Sequence, residues 1–269
     1  MDPGQAAVLG AVEGLTEFLP VSSTGHLILA SSLLGLHGQA IKTFEVVIQA
    51  GALGAVIGLY RARVASLWRG CLGQDPMGRR LLVNLLISFV PAAVAGVLLH
   101  GLIKERLFSV WPVVTALALG GMLMIGIDRW LGCRSDRAVK TLDALTPADA
   151  LVIGVAQCLS LWPGTSRAMV TMVAALCLGL PAVAAAEYSF LLALPTLGAA
   201  TLFEAASGGS AFLQDASGLS IVCGFVTAGI VAALAIRTFI RYLTHRGLAP
   251  FGWYRVILAG VVWLVAKHP

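Results

Sequence analysis

Long apolar segments constrain the fold of this chain more than any other feature of its sequence. Of its 269 residues, 58% are hydrophobic and only 12% are charged. Soluble globular proteins carry about 25% charged residues, so a water-soluble domain of this length would have too few charges to cover its surface. We therefore expect an all-α integral membrane protein that forms a single membrane domain over residues 1–269.

The apolar segments predict six transmembrane helices, because a helix needs roughly 20 mostly apolar residues to cross the hydrocarbon core. Basic residues concentrate in three loops between the apolar segments, at 61–80, 129–146 and 237–255, and the third loop includes Arg255. Such clusters are typical of cytoplasmic loops and do not indicate a nucleic-acid-binding face. The predicted spans lie near 42–60, 81–100, 110–128, 183–203, 219–240 and 254–267.

Two further apolar segments contain polar residues and prolines that interrupt a helix. Residues 7–36 include Glu13, Glu17 and Pro20, and residues 148–178 include the sequence Pro-Gly-Thr-Ser-Arg. Irregular backbone at membrane depth persists only where it is buried in protein or lines a wet cavity. Both segments are therefore predicted to be re-entrant hairpins, each consisting of a helix, a break and a second helix.

The two hairpins also resemble each other. Gly10–Glu13 resembles Gly154–Gln157 at an interval of 144 residues, and Pro20–Ser23 resembles Pro163–Ser166 after a one-residue gap. Because three predicted spans separate the hairpins, the second unit must be inverted. Inverted-topology repeats place their site where broken helices meet near the membrane midplane. The predicted repeats cover about 1–130 and 147–269.

Glu13 and Glu17 are four residues apart and therefore lie on one face of a helix. Two carboxylates this close in a low dielectric do not both ionise comfortably. They are expected to bind a divalent cation, or one of them retains its proton. The alternative is a pair that extends to the membrane interface, although ionisable groups inside membranes are usually functional.

Ser22, Ser23 and Thr24 precede an apolar run and indicate the start of a helix. Their hydroxyls either cap the helix, or the free N–H groups of its first turn receive a phosphate. His26 follows Ser23 by three residues, so its imidazole is expected to reach the Ser23 hydroxyl. A histidine with a purely structural role is the alternative.

Gly164, Thr165 and Ser166 indicate a second helix start, followed by Arg167. A guanidinium suits phosphate because it donates two parallel hydrogen bonds. The alternative is a structural ion pair with a carboxylate of the first hairpin. Thr171 either faces the same cavity or only packs. Two helix starts, a cation, carboxylates and hydroxyls within lipid indicate cleavage of a phosphate ester or anhydride on a lipid carrier.

The segment from Glu13 to His26 resembles the signature of the undecaprenyl-diphosphatase (bacitracin-resistance) family, and Pro163–Arg167 resembles that family's second motif. Residues 43–49 and 188–195 extend the resemblance, while Ala168 stands where a serine is common in the family. The resemblance implies a multi-pass enzyme of the bacterial inner membrane that converts undecaprenyl diphosphate to the monophosphate. That step recycles the carrier for cell-wall synthesis and lowers bacitracin sensitivity.

The resemblance also implies a site that opens to the periplasm and needs Mg²⁺ or Ca²⁺. The expected catalytic residues are Glu13, Glu17, Ser23, His26 and Arg167, with Glu13 and Glu17 as metal ligands. The expected phosphate-binding residues are Ser22, Thr24, Gly164, Thr165, Ser166 and Thr171.

A lipid-phosphate flippase is the alternative function, because inverted repeats with broken helices are also a transporter architecture. The acid-phosphatase-like lipid phosphatases are disfavoured, since their Lys-x6-Arg-Pro motif needs an Arg-Pro pair that this sequence lacks. The expected partners are a polyprenyl diphosphate lipid and membrane lipids, without nucleic acid. A homodimer is among the open oligomeric states, and the nucleophile is either Ser23 or water.

Overall fold

The computed structural model describes residues 1–36, 39–107, 110–132, 140–207 and 217–267, and all regular secondary structure in these ranges is helical. Two short 3₁₀ helices lie at Leu142–Ala144 and Cys158–Leu161. The α-helices are α1 Pro3–Thr16, α2 Ser23–Leu33, α3 Gln39–Leu59, α4 Arg61–Cys71, α5 Pro76–Arg106, α6 Val110–Gly132, α7 Pro147–Gln157, α8 Arg167–Cys177, α9 Ala182–Ser207, α10 Gly218–Leu243 and α11 Ala249–Lys267.

Among the described residues, four helices are long and apolar enough to cross a membrane, so the chain is a multi-pass membrane protein. They contain the segments Pro76–Leu99, Trp111–Trp130, Ala182–Glu204 and Gly218–Leu243, which coincide with four of the six predicted spans. The predicted span at 42–60 falls on α3, which bends by 87° into α4. The one at 254–267 falls on α11, whose apolar part is shorter than a full span.

The third basic loop is shorter than the sequence predicted. Only residues 244–248 separate α10 from α11, and Arg255 lies inside α11 with no exposed surface. The assignment of Arg255 to a cytoplasmic loop is therefore wrong, because its guanidinium finds main-chain carbonyls inside the protein. In the second basic loop, Arg134 and Arg137 lie outside the described residues.

Each predicted hairpin contains two short helices with a break between them. In the first, α1 has 14 residues and α2 has 11, with residues 17–22 between them. In the second, α7 and α8 have 11 residues each, and the break is formed by residues 158–166, which include the second 3₁₀ helix. None of these four helices reaches the roughly 20 residues that a membrane span requires.

Matching backbone features recur in the two hairpins at an interval of 144 residues. Asp2 and Thr146 both cap a helix with a capping box, and proline follows each of them. Ser22 and Ser166 precede α2 and α8 and have φ angles of 76° and 70°. The structure thus matches Ser22 with Ser166, without the one-residue gap that paired Ser23 with Ser166 in the sequence.

Glycines let the first helix of each hairpin pack closely on a long helix. A Cβ on Gly10 of α1 would lie 2.4 Å from the carbonyl oxygen of Gly224 in α10. A Cβ on Gly154, at the matching position of α7, would lie 2.7 Å from the carbonyl oxygen of Ser88 in α5. Between them, Phe18 of the first break packs edge-on against Phe190 of α9, with 5.5 Å between ring centroids. These contacts hold α1 and α7 closely against long helices and anchor the first break in the buried core.

Candidate active site

An ion pair joins the two breaks. Arg167, the first residue of α8, places Nη2 3.2 Å from Oε1 of Glu17, which follows α1. The two side chains are only 9% and 7% exposed, although they are 150 residues apart in the sequence. The structure therefore brings together the principal charged residues of the two motifs, in the contact that the sequence offered as a structural alternative.

The Ser23 hydroxyl is hydrogen-bonded to the other oxygen of the Glu17 carboxylate. Ser23 Oγ donates a hydrogen bond of 2.6 Å to Glu17 Oε2. Hydrogen bonds to an ionised carboxylate are short and strong, and a carboxylate within this reach of a hydroxyl is a candidate general base. Glu17 thus contacts a potential nucleophile of one hairpin and the cation of the other.

Glu13 lies one helical turn before Glu17 and is only 2% exposed. Its carboxylate interacts electrostatically with Glu17, Glu45 and Arg167. In the described part of the chain, Glu13 Oε2 has no hydrogen-bond partner, although a buried oxygen of this kind is costly to leave unpaired. This oxygen is available to a ligand that lies between the breaks.

A divalent cation at these carboxylates would have to take its remaining ligands from substrate and water. Mg²⁺ is commonly held by one or two carboxylates together with substrate phosphates. Across the described residues, no group of three or more His, Cys, Asp or Glu side chains is arranged to hold a metal ion. The unpaired oxygen of Glu13 is the observation that makes the residues present compatible with such an ion.

His26 does not reach the Ser23 hydroxyl, contrary to the sequence prediction. Its Nδ1 lies 2.7 Å from the carbonyl oxygen of Ser22, and its Nε2 lies 2.6 Å from the hydroxyl of Tyr254 in α11. The imidazole and phenol rings are stacked, with an interplanar angle of 5°. The predicted contact fails because both ring nitrogens and the Ser23 hydroxyl already have other partners. Nothing in the local sequence of α2 indicated Tyr254.

Ser189 of α9 orients the guanidinium of Arg167. Arg167 Nη1 donates to the Ser189 carbonyl oxygen at 2.8 Å, and Thr171 donates to the Ser189 hydroxyl at 2.7 Å. Thr171 is fully buried, and its Oγ1 also lies 2.9 Å from the Arg167 carbonyl oxygen, so its hydroxyl supports α8. Arg167 Nε has no hydrogen-bond partner among the described residues. Ser189 was missed, although it lies in the 188–195 segment of the family resemblance.

The two helix starts differ in how they are capped. Ser166 Oγ accepts a hydrogen bond of 3.3 Å from the Met169 amide, whereas the Ser22 side chain makes no capping bond. The expectation that a hydroxyl caps α2 is therefore not met at its N-cap. Both serines have positive φ angles, which are uncommon for residues other than glycine and occur often at functional sites. Thr24 is half-buried in the first turn of α2.

Comparison with known proteins identifies the family. A family model described as "Bacitracin resistance protein BacA" matches residues 6–261. The chain belongs to the BacA family. Its relatives include an undecaprenyl-diphosphatase from Sorangium cellulosum, which is 49% identical over 96% of this chain and 85% of the relative.

Two further relatives of this BacA chain carry similar names. Undecaprenyl-diphosphatase 2 from Rhodospirillum rubrum is 45% identical over 97% of this chain and 94% of the relative. An undecaprenyl-diphosphatase from Rhizorhabdus wittichii is 44% identical over 97% of both chains. The similarity therefore extends over both breaks and all the helices that position them.

In this BacA chain, the backbone of the second break faces a buried arginine. The carbonyl oxygens of Gly164 and Thr165 accept hydrogen bonds of 2.9 and 3.0 Å from Arg255. No sequence pattern indicated this contact, because a basic residue close to a loop is assigned to that loop.

Proposed function

We propose that this BacA-family chain hydrolyses undecaprenyl diphosphate to undecaprenyl phosphate and inorganic phosphate. The observation that carries the proposal is the Glu17 carboxylate, which holds the Ser23 hydroxyl on one oxygen and the Arg167 guanidinium on the other. The names of the relatives support the choice of substrate. The enzyme recycles the carrier lipid for cell-wall synthesis and thereby lowers bacitracin sensitivity.

The residues around Glu17 bind and orient the diphosphate. Arg167 offers the unpaired Nε–H to a phosphate oxygen, and its fork bridges two oxygens better than an ammonium would. The first turn of α2 lacks a side-chain cap from Ser22, so its N–H groups are available to an anion. Negative charge that develops on the transferred phosphoryl group is stabilised by these fixed donors.

Glu17 takes the proton of the attacking hydroxyl. In one route Ser23 Oγ forms the new P–O bond while the bond to the bridging oxygen breaks, and undecaprenyl phosphate leaves. Water then releases inorganic phosphate from the serine. In the other route a water attacks directly and Ser23 orients it. Both routes use the 2.6 Å contact between Ser23 and Glu17, and both need the proton acceptor to be in place before the attack.

Glu13 and Glu17 would hold a Mg²⁺ or Ca²⁺ ion in this site. When bound, the ion neutralises part of the diphosphate charge. The unpaired Glu13 Oε2 supports this part of the proposal.

The membrane arrangement that fits this chemistry has six spans and two re-entrant hairpins in inverted repeats. The bent pair α3–α4 and the helix α11 would supply the two spans beyond the four long apolar helices. The short helices α1, α2, α7 and α8 would enter the membrane without crossing it. Basic residues in α4 and at the start of α5 favour a cytoplasmic location for the turn between these two helices. In this arrangement the site opens to the periplasmic side of the inner membrane.

Phosphate release tests this function directly. The full chain, purified in detergent and supplied with undecaprenyl diphosphate and Mg²⁺, should release one inorganic phosphate for each undecaprenyl phosphate formed. A lipid flippase would instead move the lipid across reconstituted vesicles without releasing phosphate. Translocation without hydrolysis would overturn the proposal.

A further inference from the structure

Arg255 of α11 is a buried cation whose hydrogen bonds all go to main-chain carbonyl oxygens. The residue has no exposed surface, and it takes part in none of the ion pairs found among the described residues. A buried charge is costly unless it is fully hydrogen-bonded. Its acceptors, at 2.9–3.4 Å, are the carbonyl oxygens of Pro20, Ala116, Leu117, Gly164 and Thr165.

These acceptors belong to three separate parts of the fold. Pro20 lies in the first break, Gly164 and Thr165 lie in the second break, and the other two lie in α6. Nη1 alone spans both breaks, with 3.3 Å to the Pro20 oxygen and 3.0 Å to the Thr165 oxygen. Ser23 follows Pro20 by three residues and Arg167 follows Thr165 by two, so Arg255 forms a second bridge between the breaks.

We propose that Arg255 is a positioning residue that sets the separation of the two breaks, so that Ser23 and Arg167 reach the same carboxylate of Glu17. A planar guanidinium has five N–H donors in a fixed geometry, whereas lysine has three donors on one nitrogen. Only the guanidinium can serve acceptors on both breaks and on α6 together. The catalytic consequence rests on the proposed function, while the separation of the breaks does not.

Gly120 of α6 provides a way to displace the guanidinium without removing it. A Cβ on Gly120 would lie 2.4 Å from Arg255 Nη2 and 2.9 Å from Met169 Cε. Gly126 lies on the same helix, and a Cβ there would meet nothing within 4 Å. Both Gly→Ala substitutions favour helix to a similar extent, so Gly126→Ala is the matched control for Gly120→Ala.

The first experiment measures phosphate release from undecaprenyl diphosphate, together with melting temperature. Gly120→Ala and Arg255→Lys should lower kcat by about 10- to 100-fold, as expected for a misplaced reacting group, while KM changes little and Gly126→Ala behaves as the parent. In a double variant with Arg167→Lys, Arg255→Lys should add little further loss, because both changes disturb one geometry. Unchanged kcat in the folded variants, with only a lower melting temperature, would overturn the proposal.

The second experiment measures the separation of the breaks without reference to activity. Spin labels at Leu15→Cys, next to the first break, and Leu159→Cys, within the second break, are introduced at these exposed positions after the native cysteines are replaced. The pulsed-EPR distance distribution should be narrow in the parent and in Gly126→Ala, and broader or shifted in Gly120→Ala and Arg255→Lys. Identical distributions in all four proteins would overturn the positioning role.

The two experiments separate this inference from the proposed function. If the parent protein releases no phosphate, the proposed function fails, while the spin-label distances still decide whether Arg255 holds the breaks. If Arg255→Lys does not fold, Gly120→Ala retains the arginine and carries both tests.

Discussion

The Ser23 hydroxyl lies 2.6 Å from Glu17 Oε2, across the break between α1 and α2. The two residues are six apart, too far for neighbours on one helix face, so the contact exists only because the chain turns at residues 17–22. Arg167 reaches the other oxygen of the same carboxylate from the second break. The break thus places the Ser23 hydroxyl and the Arg167 guanidinium on the same carboxylate of Glu17.

Glu17→Gln should lower kcat by at least about 100-fold, because the amide is a poor proton acceptor and pairs weakly with Arg167. The measurement is steady-state phosphate release by the folded variant. Glu187→Gln is the control, since Glu187 is a carboxylate whose ion pair is with Arg63 at 2.9 Å, and it should retain nearly full kcat. Equal activity of the two variants would contradict the role given to Glu17.

Removing divalent cations should abolish activity if Glu13 and Glu17 hold an ion against the diphosphate. Glu13→Gln should lower turnover by at least about 100-fold and raise the Mg²⁺ concentration needed for half-maximal activity. A titration of phosphate release with Mg²⁺ after chelation checks both expectations. Full activity in the chelator, with Glu13→Gln tolerated, would mean that the buried oxygen of Glu13 serves no ion.

Tyr254→Phe should lower kcat by about 2- to 10-fold, the equivalent of one hydrogen bond, because His26, one of the expected catalytic residues, would lose the partner of its Nε2. The change removes the 2.6 Å contact with His26 Nε2 and keeps the stacked ring. Tyr242→Phe, on a ring that packs edge-on against Phe251, is the matched control and should leave kcat unchanged. If both variants behave alike, the Tyr254 hydroxyl does not act through His26.

Cysteine labelling in intact cells tests the orientation. On a background without native cysteines, Gly73→Cys and Ser135→Cys should react only from the cytoplasmic side, and Gly209→Cys only from the periplasmic side. Gly73 lies between α4 and α5, whereas Ser135 and Gly209 are outside the described residues. Reaction of all three positions from one side would contradict the inverted arrangement.

The convergence of the two breaks was predictable from sequence. Carboxylates, proline and hydroxyl residues inside apolar segments are costly in lipid, so they marked both breaks. The interval of 144 residues indicated that the two hairpins are equivalent, although the sequence matched the breaks themselves one residue out of register. Four of the predicted spans also lie on long apolar helices, because length and hydropathy decide that property locally.

The contacts inside the breaks were not predictable from sequence. Spacing along a helix suggested that His26 would meet Ser23, but backbone dihedrals in the break decide the contact, and Ser22 has a φ of 76°. Arg255 shows the same limit at longer range. Its neighbours along the chain led to its prediction as a loop residue. Only the packing of α11 on α6 brings its guanidinium to the carbonyl oxygens of Pro20 and Gly164.

Arg167→Lys tests the central claim most directly, with kcat and melting temperature measured on the same preparation. The lysine keeps a cation for Glu17 but loses the fork that contacts Glu17 and Ser189 together. We predict a fall in kcat of about 10²- to 10³-fold, comparable to the loss of one preorganised donor, with little change in melting temperature. Arg241→Lys, an exposed arginine of α10, should match the parent. A less stable Arg167→Lys protein with normal kcat would mean that the pair is structural, and would contradict the account.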